Sequence, residues 1–141
     1  MDLDQRKIAL GLARTRAING LIMMFFPGVA GKAFLGKAAD NPAVRAVLRL
    51  VGVRDLVLGV GAITTLKEGT MDAEWVGVGA VCDAVDAAVM LFSPGLGSRA
   101  RLTALAGASA AFTGLQASRA IADARIDSEL EALVEASEID S

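Results

Sequence analysis

Two pairs of charged residues interrupt apolar stretches of this sequence. Arg54 and Asp55 are adjacent in one stretch, and Asp83 and Asp86 lie three residues apart in a later one. A charge without a partner is costly in lipid or in a packed core, so these residues need partners or a polar cavity. Because residues three apart on a helix share a face, both carboxylates are expected to face Arg54. The four residues are therefore our candidates for a polar cluster or ligand-binding site that ties two helices together.

Such a cluster suits more than one function. In the simplest interpretation, Asp83 and Asp86 are counter-ions of Arg54 and the cluster is structural. Two carboxylates in a poorly solvated site can also bind a cation or handle protons, as in a carrier or enzyme for a lipid-like or quinone-like molecule. Replacing either aspartate by asparagine separates these alternatives. A structural cluster loses stability, whereas a proton-handling protein stays folded and becomes inactive.

The composition argues against several classes of function. The chain has no His and a single cysteine, Cys82, so the commonest general base and zinc ligand are missing and no intrachain disulfide can form. A net charge of -2 and few aromatic residues give no basic field or stacking platform for nucleic acid. The sequence therefore favours a protein without catalytic chemistry of its own, and we expect no catalytic residue, metal ligand or cofactor.

The hydrophobicity of the chain indicates a membrane protein. Hydrophobic residues make up 54% of the sequence, and the mean hydropathy is +0.52, whereas soluble proteins average roughly 45–50% apolar residues. Trp75 is the only Trp and there is no Tyr, so the usual aromatic belt at the membrane interface is nearly missing. We expect an integral protein of the cell membrane, the alternative being a soluble helical oligomer whose apolar faces meet.

The order of apolar runs and helix breakers predicts four helices. They are residues 3–26, a helix that starts at Asn41 and contains the apolar run 50–66, residues 75–92, and residues 102–118. The segment after Pro27 is expected to be a flexible connection. We predict an all-α fold: an up-down four-helix bundle, transmembrane, at residues 1–122, followed by an acidic tail at residues 123–141 that forms an amphipathic C-terminal helix.

Four arginines are candidates for the surface or for contact with lipid head groups. Arg14 and Arg16 lie in the basic first half of the first helix, and Arg45 and Arg49 share a face near the start of the second. The alternative is that they form an ordinary solvated face. The leading basic cluster favours a cytoplasmic N-terminus, and four spans would then place the C-terminal tail in the cytoplasm as well.

Small residues at helical spacing suggest where partners bind. Gly107 with Ala111, and Ala110 with Gly114, are two pairs four residues apart on the fourth helix. Such pairs allow close approach of helices in membranes. Membrane lipid and either a second copy of the chain or a larger membrane protein are therefore the expected partners.

The run GVRDLVLG at residues 52–59 is the most specific pattern in the sequence. The remaining features are Pro27-Gly28 after the first helix, Asn41-Pro42 with Arg45 and Arg49 at the start of the second, and Asp83 with Asp86 in the third. In this layout the chain resembles the DoxX-like group of small bacterial membrane proteins, in particular actinobacterial relatives of unknown function. The resemblance covers about residues 6–118. It implies an integral membrane four-helix bundle, without an agreed activity to carry over.

Overall fold

The computed structural model describes residues 2–139, and within them the protein is all-α, which confirms that part of the predicted fold. Five α-helices and one short 3-10 helix make up this part of the chain. They are α1 (Asp2–Phe25), α2 (Pro27–Leu35), the 3-10 helix (Gly36–Asp40), α3 (Pro42–Glu68), α4 (Asp72–Phe92) and α5 (Ser98–Ile139). The last two residues of the predicted tail lie outside the described residues.

Local chemistry fixes the ends of α3, the helix that carries Arg54. The Asn41 side chain accepts a hydrogen bond of 2.9 Å from the backbone N–H of Ala43, and Pro42 occupies the first helical position. At the other end Gly69 adopts a left-handed conformation with φ of 73° and donates its N–H to the carbonyl of Thr65. Both ends follow the general preferences of asparagine, proline and glycine for helix ends.

Residues 28–40 differ from the sequence-based expectation. They form α2 and the 3-10 helix and are not a flexible connection. Pro27 ends α1 but also occupies the first position of α2, a position that suits proline. The segment is held by apolar packing, because Ala30 is buried in a cluster with Met23 and Leu48.

The last helix is longer than the sequence suggests. α5 continues from Ser98 to Ile139, so the expected end at residue 118 and the proposed boundary between residues 122 and 123 both fall inside one helix. No Gly or Pro occurs between Leu115 and Ile139 to interrupt it. Arg125 on this extension donates a hydrogen bond of 2.9 Å to the Glu74 carboxylate, which raises the pKa of Arg125 above its ordinary value.

The long helices pack in two antiparallel pairs. α1 lies against α3 through Gly20, Gly52 and Gly59, where the two backbones approach so closely that no side chain would fit. α4 lies against α5 through small side chains, and a Cβ atom at Gly114 would come within 3.0 Å of the Ala80 Cβ atom. The two pairs then meet around a small apolar core.

Two of the described helices are long and apolar enough to cross a membrane. They are Asp4–Phe25 within α1 and Asp72–Phe92, with mean hydropathies of 1.3 and 1.7 over their most apolar windows. Only 28% and 22% of the residues in these windows are buried inside the protein. Fewer than a third of the residues in each window are therefore enclosed by the rest of the described chain.

Candidate functional site

Five charged side chains meet near the middle of three helices. Arg16 comes from α1, Arg54 and Asp55 from α3, and Asp83 and Asp86 from α4. We call these five residues the Arg/Asp cluster. It contains two guanidinium groups and three carboxylates, so its formal charge is one negative unit.

The outer half of the cluster is a bidentate ion pair between α3 and α4. Arg54 donates from Nη1 to Asp86 Oδ1 at 3.0 Å and from Nη2 to Asp86 Oδ2 at 2.5 Å. The same guanidinium donates from Nε and Nη2 to Asp55 Oδ1 at 3.2 and 3.0 Å. About a third of the Arg54 side chain (34%) and 40% of the Asp86 side chain are exposed, so this half opens on the protein surface.

The inner half of the cluster is organised by Arg16. Its Nη2 donates to the Asp83 carboxylate and, at 2.8 Å, to the carbonyl of Gly79. Its Nη1 lies 3.6 Å from Asp55 Oδ1 and is buried without a hydrogen-bond partner in the part of the chain that the structure describes. The Arg16 and Asp55 side chains are each only 13% exposed. Asp55 therefore lies between the two guanidinium groups and joins the two halves.

The structure corrects the expected position of Arg16. It lies inside the protein, whereas Arg14, the neighbouring candidate for head-group contact, is exposed. Two residues along a helix turn a side chain by about 200°, so these neighbours cannot share a face. Gly79 leaves the space that the inner side chain needs, because a Cβ atom there would lie 3.3 Å from the Arg16 guanidinium carbon.

The structure also shows which arginine each aspartate contacts and how exposed the two candidate surface arginines of α3 are. Arg54 pairs with Asp86, while Asp83 pairs with Arg16, so the two aspartates do not share one arginine. Arg45 is partly buried and donates from Nε to the carbonyl of Ala39 at 2.8 Å. Arg49 is exposed.

A second contact between α1 and α4 was missed by the sequence analysis. Arg6 Nη2 lies 2.8 Å from Asp72 Oδ2, and Asp72 is 1% exposed. Arg6 and Arg16 are ten residues apart, and their partners Asp72 and Asp83 are eleven apart, which is about three helical turns in each case. This matched spacing is the signal that could have indicated two parallel helices joined by two ion pairs.

Three of the arginine–aspartate contacts between helices of the described chain join the α1/α3 pair to α4. They are Arg6–Asp72, Arg16–Asp83 and Arg54–Asp86. Each pair of long helices packs internally through small residues, so these contacts act where the two pairs meet. The arrangement fixes the position of one pair relative to the other.

The carboxylates of the cluster are not arranged as metal ligands. Among the described residues, no three His, Cys, Asp or Glu side chains converge in a way that could hold a metal ion. Their oxygens face guanidinium donors instead.

Two cavities lie elsewhere on the protein. An open apolar groove of about 570 Å³ between α4 and α5 includes Gly77, Cys82 and Ser118, and a cavity of about 310 Å³ includes Arg6 and Arg125. Neither is lined by a member of the Arg/Asp cluster. The contacts of the cluster join helices, and its members lie apart from these two cavities.

Comparison with known proteins adds no relative. No protein-family model, no curated protein and no solved structure matches this chain. What the fold and the site define is a class: an all-α protein with two helices that could cross a membrane and a charged cluster between its helix pairs.

Proposed function

We propose that this chain is a small integral membrane protein of a non-catalytic accessory or binding type, related to the DoxX-like group. In this proposal α1, α3, α4 and α5 form an up-down four-helix bundle across the cell membrane. The Arg/Asp cluster ties α3 and α1 to α4 within the apolar layer, and the acidic end of α5 extends into the cytoplasm.

One observation carries the proposal: small residues lie inside and large apolar residues lie outside. Of the 18 buried hydrophobic residues of the described chain, 13 are alanine. The outward-facing apolar residues include Phe92 at 86% exposure, Leu50 at 72% and Phe25 at 61%. In water this arrangement would leave a large apolar surface exposed, whereas in a bilayer small residues let helices pack closely and large ones contact lipid.

The cluster fits the same environment. Buried charges in lipid are tolerated when they pair with one another, and every member of the cluster has an oppositely charged neighbour. A position near the middle of the helices means that water competes weakly for these contacts. The cluster then holds the two helix pairs in one arrangement, on which a partner protein can bind.

The proposed partners are membrane lipid and either a second copy or a larger membrane protein. The groove between α4 and α5 supports a protein partner, because Gly77 and Ser118 in its wall are small and leave it open. Both termini are proposed to be cytoplasmic, following the leading basic cluster. That they share one side is supported by the cavity that Arg6 and Arg125 line together.

Membrane fractionation tests the location directly. A chain with a C-terminal tag is expected to remain in the membrane pellet after carbonate extraction, because its apolar surface is in lipid. The tag is expected to resist protease that is added to spheroplasts, in which the cell membrane is intact and exposed. It is expected to be cleaved after the spheroplasts are lysed. Release of the chain by carbonate would support the soluble oligomer instead, and cleavage before lysis would reverse the orientation.

A second function is favoured by the excess carboxylate of the cluster. Three aspartates face two arginines, and the Arg54–Asp86 pair is partly exposed, so a ligand in the bilayer could reach it. A carrier or enzyme for a lipid-like or quinone-like molecule could use Asp83 and Asp86 to handle protons.

The variant Asp86→Asn distinguishes the two functions. A structural tie predicts a loss of about 1–3 kcal/mol in the free energy of unfolding, discounted for the partial exposure of the pair. Proton handling predicts unchanged stability and a loss of proton flux into proteoliposomes after a pH jump. Asp4→Asn, at an exposed position on α1, is the control and should change neither quantity.

A further inference from the structure

The two ends of the protein differ strongly in charge, although the net charge of the whole chain is only -2. The end that contains α2 comprises residues 26–50 and 92–102, with six basic residues and one acidic residue, a net charge of +5. The opposite end comprises residues 4–14, 67–74 and 119–137, with six basic and nine acidic residues, a net charge of -3. The two ends therefore offer different surfaces to charged molecules.

The positive charges at the α2 end form one accessible surface, which we call the basic end. Its members are Lys32, Lys37, Arg45, Arg49, Arg99 and Arg101, and all except Arg45 are exposed. Asp40 lies 3.8 Å from both Lys32 Nζ and Arg45 Nη2 and partly neutralises these two. The other four have no ion-pair partner among the described residues. Their charge is available to a ligand.

Large apolar side chains lie at this same end of the helices. Phe25, Phe26, Val29, Leu50 and Phe92 are between 61% and 86% exposed. α2 packs its inner face, including Ala30 and Gly31, against the protein and leaves Val29 and Lys32 outward. At a bilayer surface the apolar acyl chains give way to charged head groups. Exposed aromatic and aliphatic side chains at the same end as unpaired cations suit this boundary.

We infer that the basic end binds the phosphate head groups of anionic phospholipids in the surrounding bilayer. The inference rests on the proposed membrane location. The cations are spread over α2, α3, α5 and the 3-10 helix, and neither cavity described above is lined by them. A layer of head groups fits this spread, whereas a single phosphate-containing ligand would need the cations gathered around one pocket.

Lipid retention tests the inference. The protein is purified in neutral detergent, equilibrated with equal amounts of phosphatidylglycerol and phosphatidylcholine, and the retained lipids are counted by mass spectrometry. The wild-type protein is expected to enrich phosphatidylglycerol, and added salt should reduce the enrichment. The variant Lys37→Gln/Arg49→Gln/Arg101→Gln should bind phosphatidylglycerol about 100-fold more weakly, at about fivefold for each cation removed near an anionic surface.

The opposite end supplies the matched control. Lys7→Gln/Arg14→Gln/Arg119→Gln removes the same charge from three exposed positions and should keep the enrichment. Equal retention of both lipids by the wild type, or an equal loss in both triple variants, would overturn the inference. Displacement of the lipid by inorganic phosphate would overturn it in favour of a phosphate pocket. A protein that stays in solution without detergent would instead refute the membrane location itself.

Discussion

Replacement of Arg16 by methionine is expected to lower the free energy of unfolding by about 3–5 kcal/mol, the usual cost of breaking a buried ion pair from one side. The substitution keeps an unbranched apolar stem but leaves Asp83 without its arginine and removes the second cation near Asp55. It also removes the hydrogen bond to the Gly79 carbonyl. Reversible unfolding in detergent micelles, followed by circular dichroism, measures the loss.

Arg14→Met is the control, because this side chain lies on the same helix and is exposed. Its effect should stay within about 0.5 kcal/mol, as for most surface substitutions. The double variant Arg16→Met/Asp83→Leu should recover part of the stability, since it removes the unpaired carboxylate as well. Equal effects of the Arg14 and Arg16 substitutions would contradict the buried position of Arg16 and restore the head-group position that the sequence suggests.

The sequence predicts part of the cluster because charge within an apolar run demands a partner. That argument reaches Arg54, Asp83 and Asp86 without any knowledge of helix packing. It cannot decide which aspartate meets which arginine, because the choice depends on the rotation and depth of two helices. In the structure Arg54 meets Asp86, and Asp83 is left for an arginine on a third helix.

Arg16 was assigned wrongly for a physical reason. It lies in a basic segment close to Arg14, and the basic face of an amphipathic helix can lie along a membrane surface. Periodicity shows that the two residues lie on different faces of α1 but not which face meets another helix. That information comes from Gly79 on α4, more than sixty residues away, whose missing side chain leaves space for the guanidinium.

Glycine was the least reliable signal for the fold. Gly31 suggests a flexible connection in the sequence, yet in the structure it lies within α2, where a Cβ atom would come within 2.6 Å of the Ala39 side chain and 2.7 Å of the Leu48 side chain. A glycine can mark a turn or a close contact between elements, and the local sequence does not separate the two uses. The helical segment after Pro27 could therefore not be predicted from its composition.

Close contact also makes Gly20 the site of the second large effect. A Cβ atom at this position would lie 2.5 Å from the backbone nitrogen of Leu56 and 2.7 Å from the carbonyl oxygen of Gly52. Both are backbone atoms of α3, so the clash can be relieved only if α1 and α3 move apart. Gly20→Ala is therefore expected to destabilise the protein by about 3 kcal/mol, at the upper end of overpacking effects. Unfolding in detergent micelles measures it.

Gly11→Ala on the same helix is the control, because its expected effect on the free energy of unfolding has the opposite sign. No atom lies within 4 Å of a Cβ at Gly11, so alanine there should bring only its helix propensity and stabilise the protein by up to about 1 kcal/mol. Alanine at position 20 brings the same gain in helix propensity, so the variant is destabilised only if the clash with α3 costs more than this gain. Since Gly20 lies one turn from Arg16, separation of α1 from α3 should also weaken the contact between Arg16 and Asp55. Stabilisation by both alanines would contradict the close packing of α1 on α3, and with it the geometry that brings the Arg/Asp cluster together.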